Sequence, residues 1–313
     1  MRWLLAGTLL LVAALGCRLL APEGSPGEAT ATPGAAPTRQ PLATETSPGA
    51  TPAPQASRTP DVGAMATPSQ PPGRAGIWQP QPGLTWQWQL SDLPLDLSVE
   101  AAVYDIDLFE NDAGVVQALH DQGRRVICYI SMGSWEDWRP DAAQFPPEVL
   151  GRDYEGWEGE KWLDVRRIDL LAPILQARLD LCQAKGFDAV EPDNIDGYTN
   201  RTGFPLTYQD QITFNTWLAE QAHQRGLAIA LKNDGDQVED LLPLFDFAIT
   251  EDCFADDWCE QVRAFTRAGK AVLAAEYTDT GVELGDFCDL AWEWGFSVIL
   301  KDRDLDAFRQ TCP

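Results

Sequence analysis

The segment Leu227-Ala228-Ile229-Ala230-Leu231-Lys232-Asn233 decides how the chain folds. In an extended strand alternate side chains point to opposite faces, so Ala228, Ala230 and Lys232 share one face and Ile229 and Leu231 the other. Small residues below a lysine, backed by branched ones, suit the inner and outer faces of a small parallel barrel. Seven further short runs of apolar, β-branched or aromatic residues have this character, at 85–90, 102–107, 125–131, 187–193, 245–250, 271–277 and 296–301. Amphipathic stretches separate them. One carries Ile174, Leu175, Leu179 and Cys182 at helical spacing and stops at Lys185-Gly186, and another stops at Arg225-Gly226. Eight strands with intervening helices predict an α/β fold, a (β/α)8 TIM barrel. An open nucleotide-binding sheet is the alternative, but no Gly-rich phosphate loop follows the first strand.

Seven of the eight runs end in polar residues, while their first halves are plain. The ends are Tyr104-Asp105-Ile106-Asp107, Tyr129-Ile130-Ser131, Glu191-Pro192-Asp193-Asn194, Lys232-Asn233-Asp234, Thr250-Glu251-Asp252, Glu276-Tyr277 and Lys301-Asp302. A scaffold does not require this, whereas barrel enzymes build their sites at the C-terminal strand ends. By parity Glu191 and Asp193 share a face, as do Phe247, Ile249 and Glu251.

The rest of the chain sets the compartment. Arg2 and an apolar run ending at Gly16-Cys17 predict an export signal over 1–16, with Cys17 as a lipidated N-terminus and the sole membrane contact. Residues 17–75 are rich in Pro, Ala, Thr and Ser and are expected to form a disordered tether, leaving 76–313 as the catalytic domain. In the tether Glu23, Glu28, Glu45 and Asp61 balance Arg18, Arg39, Arg58 and Arg74, and Arg2 lies in the signal, so of the chain's net charge of −25 the domain itself carries −26 (44 acidic and 18 basic residues). That excludes nucleic acid as a partner and favours either a cationic partner or plain solubility. With Cys17 set aside, six cysteines remain, an even number for an exported domain. The expected pairs are Cys253 with Cys259, Cys288 with Cys312 and Cys128 with Cys182. No CxxC occurs and the two histidines, His120 and His223, lie in helices, so neither a metal site nor a cofactor is expected.

Several segments together carry a family resemblance: Trp86-Gln87-Trp88-Gln89-Leu90-Ser91, Tyr104-Asp105-Ile106-Asp107, Cys128-Tyr129-Ile130-Ser131-Met132-Gly133-Ser134-Trp135, Glu191-Pro192-Asp193-Asn194, Leu231-Lys232-Asn233 and Phe247-Ala248-Ile249-Thr250-Glu251-Asp252. From about Trp78 onward the sequence resembles the endo-α-1,4-polygalactosaminidase family of glycoside hydrolases. The resemblance implies cleavage of α-1,4-linked galactosamine, with Asp193 and Glu251 as the catalytic pair. Thr250 and Asp252 stand where the family pattern leads one to expect amides. Glycoside hydrolysis needs one carboxyl to protonate the leaving oxygen and one carboxylate to attack or to activate water. Asp193 is assigned provisionally as nucleophile and Glu251 as acid/base, with the reversed and inverting arrangements left open.

Around this pair Asn194 and Lys232 are expected to hold Asp193 ionised. Asp252 and Glu276 are expected to crowd Glu251 and raise its pKa. Asp105, Asp196, Asp252 and Glu276 are candidates to grip substrate amines, Trp88 and Trp135 to offer sugar platforms, and Tyr129 and Tyr277 to touch the sugar or pack the barrel mouth. The expected partner is a galactosamine-containing polysaccharide, acted on by an exported monomer. The rival functions are a hydrolase of another α-linked exopolysaccharide and a non-catalytic carbohydrate-binding barrel.

Overall fold

The computed structural model describes residues 76–313, so the export signal, the lipid on Cys17 and the tether lie outside the described residues. In chain order the elements are β1 (Trp86–Gln89), β2 (Val103–Asp107), α1 (Ala113–Asp121), β3 (Arg125–Ser131), β4 (Ser134–Glu136), β5 (Leu150–Asp153), β6 (Glu160–Leu163), α2 (Ile168–Lys185), β7 (Ala189–Asp193), α3 (Tyr208–Gln224), β8 (Ala228–Lys232), α4 (Val238–Leu241), β9 (Phe247–Glu251), α5 (Arg263–Arg267), β10 (Val272–Tyr277), α6 (Leu284–Trp294), β11 (Ser297–Lys301) and β12 (Gln310–Thr311). Short 3-10 turns connect several of them.

All eight expected strands are present. They pair in parallel in the order β1-β2-β3-β7-β8-β9-β10-β11, and β12 adds antiparallel to β11. The sheet is mixed α/β and curls into a barrel-like form. No backbone ladder joins β1 to β11. Side chains span this seam instead: the Trp86 indole donates to the Ser297 carbonyl at 3.0 Å, and Arg309 donates to the Trp86 carbonyl at 2.6 Å.

Strand parity separates two apolar layers. Trp86, Trp88, Ala228, Ala230, Phe247, Ile249, Leu273 and Ala275 fill the concave face. Ile229, Leu231, Ala248 and Ala274 meet Leu175, Leu179, Phe214 and Leu218 of α2 and α3 on the other side. Small alanines on β7, β8 and β10 leave room for the two tryptophans of β1. Helix α2 stops at Gly186, whose φ of 90° is a left-handed cap that favours glycine.

Two departures from the expected alternation affect the site. The chain passes from β1 to β2 without a helix. Residues 134–163, between the third and fourth expected strands, include an antiparallel sheet in the order β4-β6-β5 beside the end of β3. Its strands have three or four residues each, too short for a period-two pattern to stand out.

The three expected disulfides are all present, joining Cys128–Cys182, Cys253–Cys259 and Cys288–Cys312. The first ties β3 to α2, the second closes the loop after β9, and the third ties α6 to the segment after β12. Both histidines are structural, His120 pairing with Asp188 and His223 with Asp246, each at 2.8 Å. No helix among the described residues is long and apolar enough to cross a membrane.

Candidate active site

Three consecutive parallel strands end alike. Asp193 closes β7, Lys232 closes β8 and Glu251 closes β9. The residue after each has a left-handed backbone, with φ of 63° at Asn194, 54° at Asn233 and 52° at Asp252. Asn and Asp tolerate this region better than other side chains. Each strand therefore turns away sharply and leaves its last side chain at the mouth. The turn after β7 is braced from β3, where the Met132 and Gly133 N–H groups donate to the Asp193 carbonyl at 3.0 and 3.1 Å. A Cβ at Gly133 would lie 1.6 Å from the Asn194 carbonyl oxygen, so only glycine fits there.

The three side chains converge. The Lys232 ammonium lies 2.7 Å from Asp193 Oδ1, 3.0 Å from Glu251 Oε2 and 2.8 Å from Glu191 Oε1, and it rests 4.9 Å above the Trp88 ring. The Tyr129 hydroxyl donates to Asp193 Oδ2 at 3.0 Å. The Tyr277 hydroxyl donates to Glu251 Oε1 at 2.5 Å, and the Asn233 amide donates to Glu251 Oε2 at 2.9 Å while accepting from the Glu251 N–H. Because one ammonium touches both carboxylates, at 2.7 and 3.0 Å, Asp193 Oδ1 and Glu251 Oε2 are at most 5.7 Å apart. Their side chains are 16% and 25% exposed, so both open into the cleft.

That cleft has a volume of about 990 Å³. Its floor is Trp88, Tyr129, Lys232 and Tyr277, and its walls include Trp138, Tyr154, Trp157, Asn194 and Asp252. Two carboxylates that close to each other, fixed by donors at the bottom of an aromatic-walled groove, are equipped to cleave a glycosidic bond.

The family model for glycoside-hydrolase family GH114 matches residues 67–313. The chain belongs to family GH114.

Among solved structures this GH114 chain is similar to Ega3 of Aspergillus fumigatus, determined in complex with galactosamine. The two are 38% identical, the match covers 75% of this chain and 97% of Ega3, and the TM-score is 0.71. The glycoside hydrolase domain of PelA from Pseudomonas aeruginosa shares the fold at 14% identity, with 74% and 98% of the chains covered and a TM-score of 0.58. Comparison with curated protein sequences finds no significant match.

Of the expected site residues, Trp88, Tyr129, Asn194, Lys232, Asp252 and Tyr277 line the GH114 cleft with Asp193 and Glu251. Three do not. Asp105 faces the concave side but lies one layer too deep; it is fully buried against Glu191 and cannot reach a substrate amine. Burial, and then the neighbouring Glu191, push Asp105 well above the usual carboxylate range. Glu276 is fully buried on the opposite face, because the inward Ala275 and Tyr277 turn it outward, and it accepts the Phe254 and Ala255 N–H groups at 2.9 and 3.0 Å. Trp135 packs on the core and its indole donates to the Ala142 carbonyl at 3.0 Å.

Two partnerships also differ from expectation. The Asn194 amide donates to Ser131, Ser134 and Glu160, leaving Lys232 and Tyr129 to hold Asp193. Crowding does not raise Glu251. Burial pushes its pKa up, but the Lys232 charge and donation from Tyr277, Lys232 and Asn233 outweigh that and leave it lowered. Glu276 faces away, and Asp252 is bound to Arg303 at 2.9 Å.

Sequence reasoning missed Asn233, Glu136, Trp138, Tyr154, Trp157, Glu160 and Arg303, all of which line the cleft. Asn233 was within the Lys-Asn strand end already singled out. The others sit on the accessory sheet formed by β4, β6 and β5, on its connecting loops, or on the loop after β11, whose positions no strand pattern reveals.

Several carboxyls near the cleft are raised chiefly by burial: Asp196 to about 6, Glu160 and Glu276 to about 7, and Asp234 to about 8. Each binds protons more tightly in the folded state than in an unfolded chain, so folding is disfavoured as pH rises through these values. The melting temperature should therefore be higher at pH 5.5 than at pH 8. Thermal unfolding at both values checks this, and a higher melting temperature at pH 8 would contradict it.

Proposed function

We propose that the protein hydrolyses α-1,4-linked galactosamine-containing polysaccharide with retention of configuration, on a (β/α)8 barrel, using Asp193 as nucleophile and Glu251 as acid/base. The observation that carries the substrate class is charge. Eleven Asp and Glu residues line the cleft against three cations. All three cations are already paired within the protein: Lys232 with Glu191, Asp193 and Glu251, Arg139 with Asp107 and Glu136, and Arg303 with Asp252 and Asp279. Glu160, Asp196 and Asp256 have no cation partner among the described residues. Such a groove attracts a chain of ammonium-bearing sugars. Similarity to Ega3, seen with galactosamine, supports the same class.

Retention is supported by the carboxylate separation. Retaining enzymes hold the pair roughly 5–5.5 Å apart, whereas inverting ones leave about 6.5–9.5 Å for a water. The limit of 5.7 Å on the two oxygens that Lys232 binds lies below the inverting range. Lys232 and Tyr129 fix both oxygens of Asp193 from below, as suits attack on the anomeric carbon. Glu251 is the more exposed of the two, and its lowered pKa favours the carboxylate form. A sugar that displaces water around it adds to the burial effect, already the largest single influence on Glu251, and favours its protonation. Attack by Asp193 then forms a glycosyl ester while Glu251 gives its proton to the leaving oxygen. Water, deprotonated by Glu251, hydrolyses the ester. An export signal, a tether and a lipid on Cys17 would place this monomeric domain at the cell surface.

The test compares hydrolysis of α-1,4-galactosamine oligomers with their N-acetylated forms at two salt concentrations. The free-amine chain should be the better substrate. Exposed charges are screened over about 8 Å at physiological ionic strength, so salt should raise KM more than it lowers kcat. Equal cleavage of both oligomers at both salt concentrations would make the acidic groove mere solubility charge and point to another α-linked polymer.

A further inference from the structure

The accessory sheet carries a like-charge pair that folding alone does not account for. In the antiparallel pairing of β4 with β6, Glu136 stands directly opposite Glu160. Directly opposed residues lie on the same face at close range, and like charges there are destabilising. Both side chains are more than nine-tenths buried, and both line the cleft. The Arg139 guanidinium lies 2.8 Å from Glu136 Oε1, and Glu136 Oε2 has no partner. Ser134 and Asn194 both donate to Glu160 Oε1, leaving its second oxygen to the cleft. Burial, with Asp193 and Glu136 nearby, pushes Glu160 up to about 7, a cost that a bound cation would offset.

We propose that Glu136 and Glu160 together form an ammonium-binding subsite that takes the free amine of one sugar unit beside the catalytic pair. Its position follows from Asn194, the residue next to Asp193, whose amide donates to Glu160 at 3.0 Å. Trp138 and Trp157, each about half exposed, stand on the same wall and offer apolar faces for the sugar ring. One oxygen of each carboxylate is held by the protein, Glu160 by Ser134 and Asn194 and Glu136 by Arg139, while the buried second oxygen of Glu136 lacks a partner that an ammonium would supply once the side chain turns towards the cleft. An N-acetyl group is neutral, offers a single donor and is bulkier than an ammonium. The subsite therefore selects deacetylated units, an inference that rests on the galactosamine reading above.

The experiment is calorimetric titration of an α-1,4-galactosamine oligomer, and of its fully N-acetylated counterpart, into Glu251→Gln protein, which turns over too slowly to consume them. The same titrations follow with Glu160→Gln or Glu136→Gln added. Loss of a hydrogen bond to a charged group corresponds to an affinity drop of about tenfold or more. Each added substitution should weaken the amine oligomer by about that factor and change the acetylated one by less than about twofold. Glu160→Gln keeps the acceptor that Ser134 and Asn194 use, so the fold survives even if Glu136→Gln loosens Arg139. Equal losses on both oligomers, no loss on the amine chain, or no binding of the amine chain to the Glu251→Gln protein would each overturn the subsite. Product release by the unsubstituted protein is read separately. A protein that shows the selective loss but releases no product keeps the subsite and loses the hydrolase reading.

Discussion

Asp193→Asn and Glu251→Gln should each lower kcat by about 10³-fold or more while the protein still folds. Each amide keeps the shape of its carboxylate, and Lys232 still has two carboxylates to pair with. Neither amide can attack an anomeric carbon or carry a proton. Near-native turnover by either purified, folded variant would remove that residue from catalysis. Azide separates the roles. With Asp193→Gly, azide replaces the lost nucleophile and should give a glycosyl azide of inverted configuration. With Glu251→Ala, it should intercept the ester and give the retained one. The opposite pattern would exchange the two assignments.

Lys232→Met should cost more stability than any other single change at the site. Glu191, Asp193 and Glu251 all lie within 3.0 Å of this one ammonium, which is itself 1% exposed. Methionine fills similar space but leaves three crowded carboxylates without their cation. Breaking a buried ion pair by removing one partner costs about 3–5 kcal/mol. The remaining carboxyls then bind protons more tightly in the folded state, so the deficit should shrink as pH falls from 8 to 5. The Lys232 charge is also the largest influence lowering Glu251, so whatever activity remains should peak at a different pH. Paired melting curves of wild type and variant across that range would show this; a constant or widening deficit on acidification would contradict it.

How much of this was legible in the sequence depended on whether a residue's position follows from strand parity alone. Strands β7 and β8 were legible because small inward alanines alternate with branched residues, and β9 because Phe247 and Ile249 share the inward face with Glu251; this fixes the face of Glu191, Asp193, Lys232 and Glu251. Parity gives a face and not a height. Asp105 shares the inward face, but strand register places it opposite Ile127 of β3, beneath the mouth. Glu276 could have been set aside on parity, since Tyr277 must point inward for its hydroxyl to reach Glu251. The accessory sheet was hidden for another reason. Its short strands are separated by 3-10 turns and glycines, and they are held by contacts with the barrel mouth rather than by a pattern of their own. With that sheet went Glu136, Glu160 and three of the cleft aromatics.

The central claim is that Asp193 and Glu251 cleave α-linked galactosamine by double displacement, and the anomeric form of the first product tests it most directly. Proton NMR recorded within the first minutes of hydrolysis of an α-1,4-galactosamine oligomer should show the α-anomer of the new reducing end, with the β-anomer growing in only by mutarotation. Initial release of the β-anomer would mean direct attack by water and contradict the account.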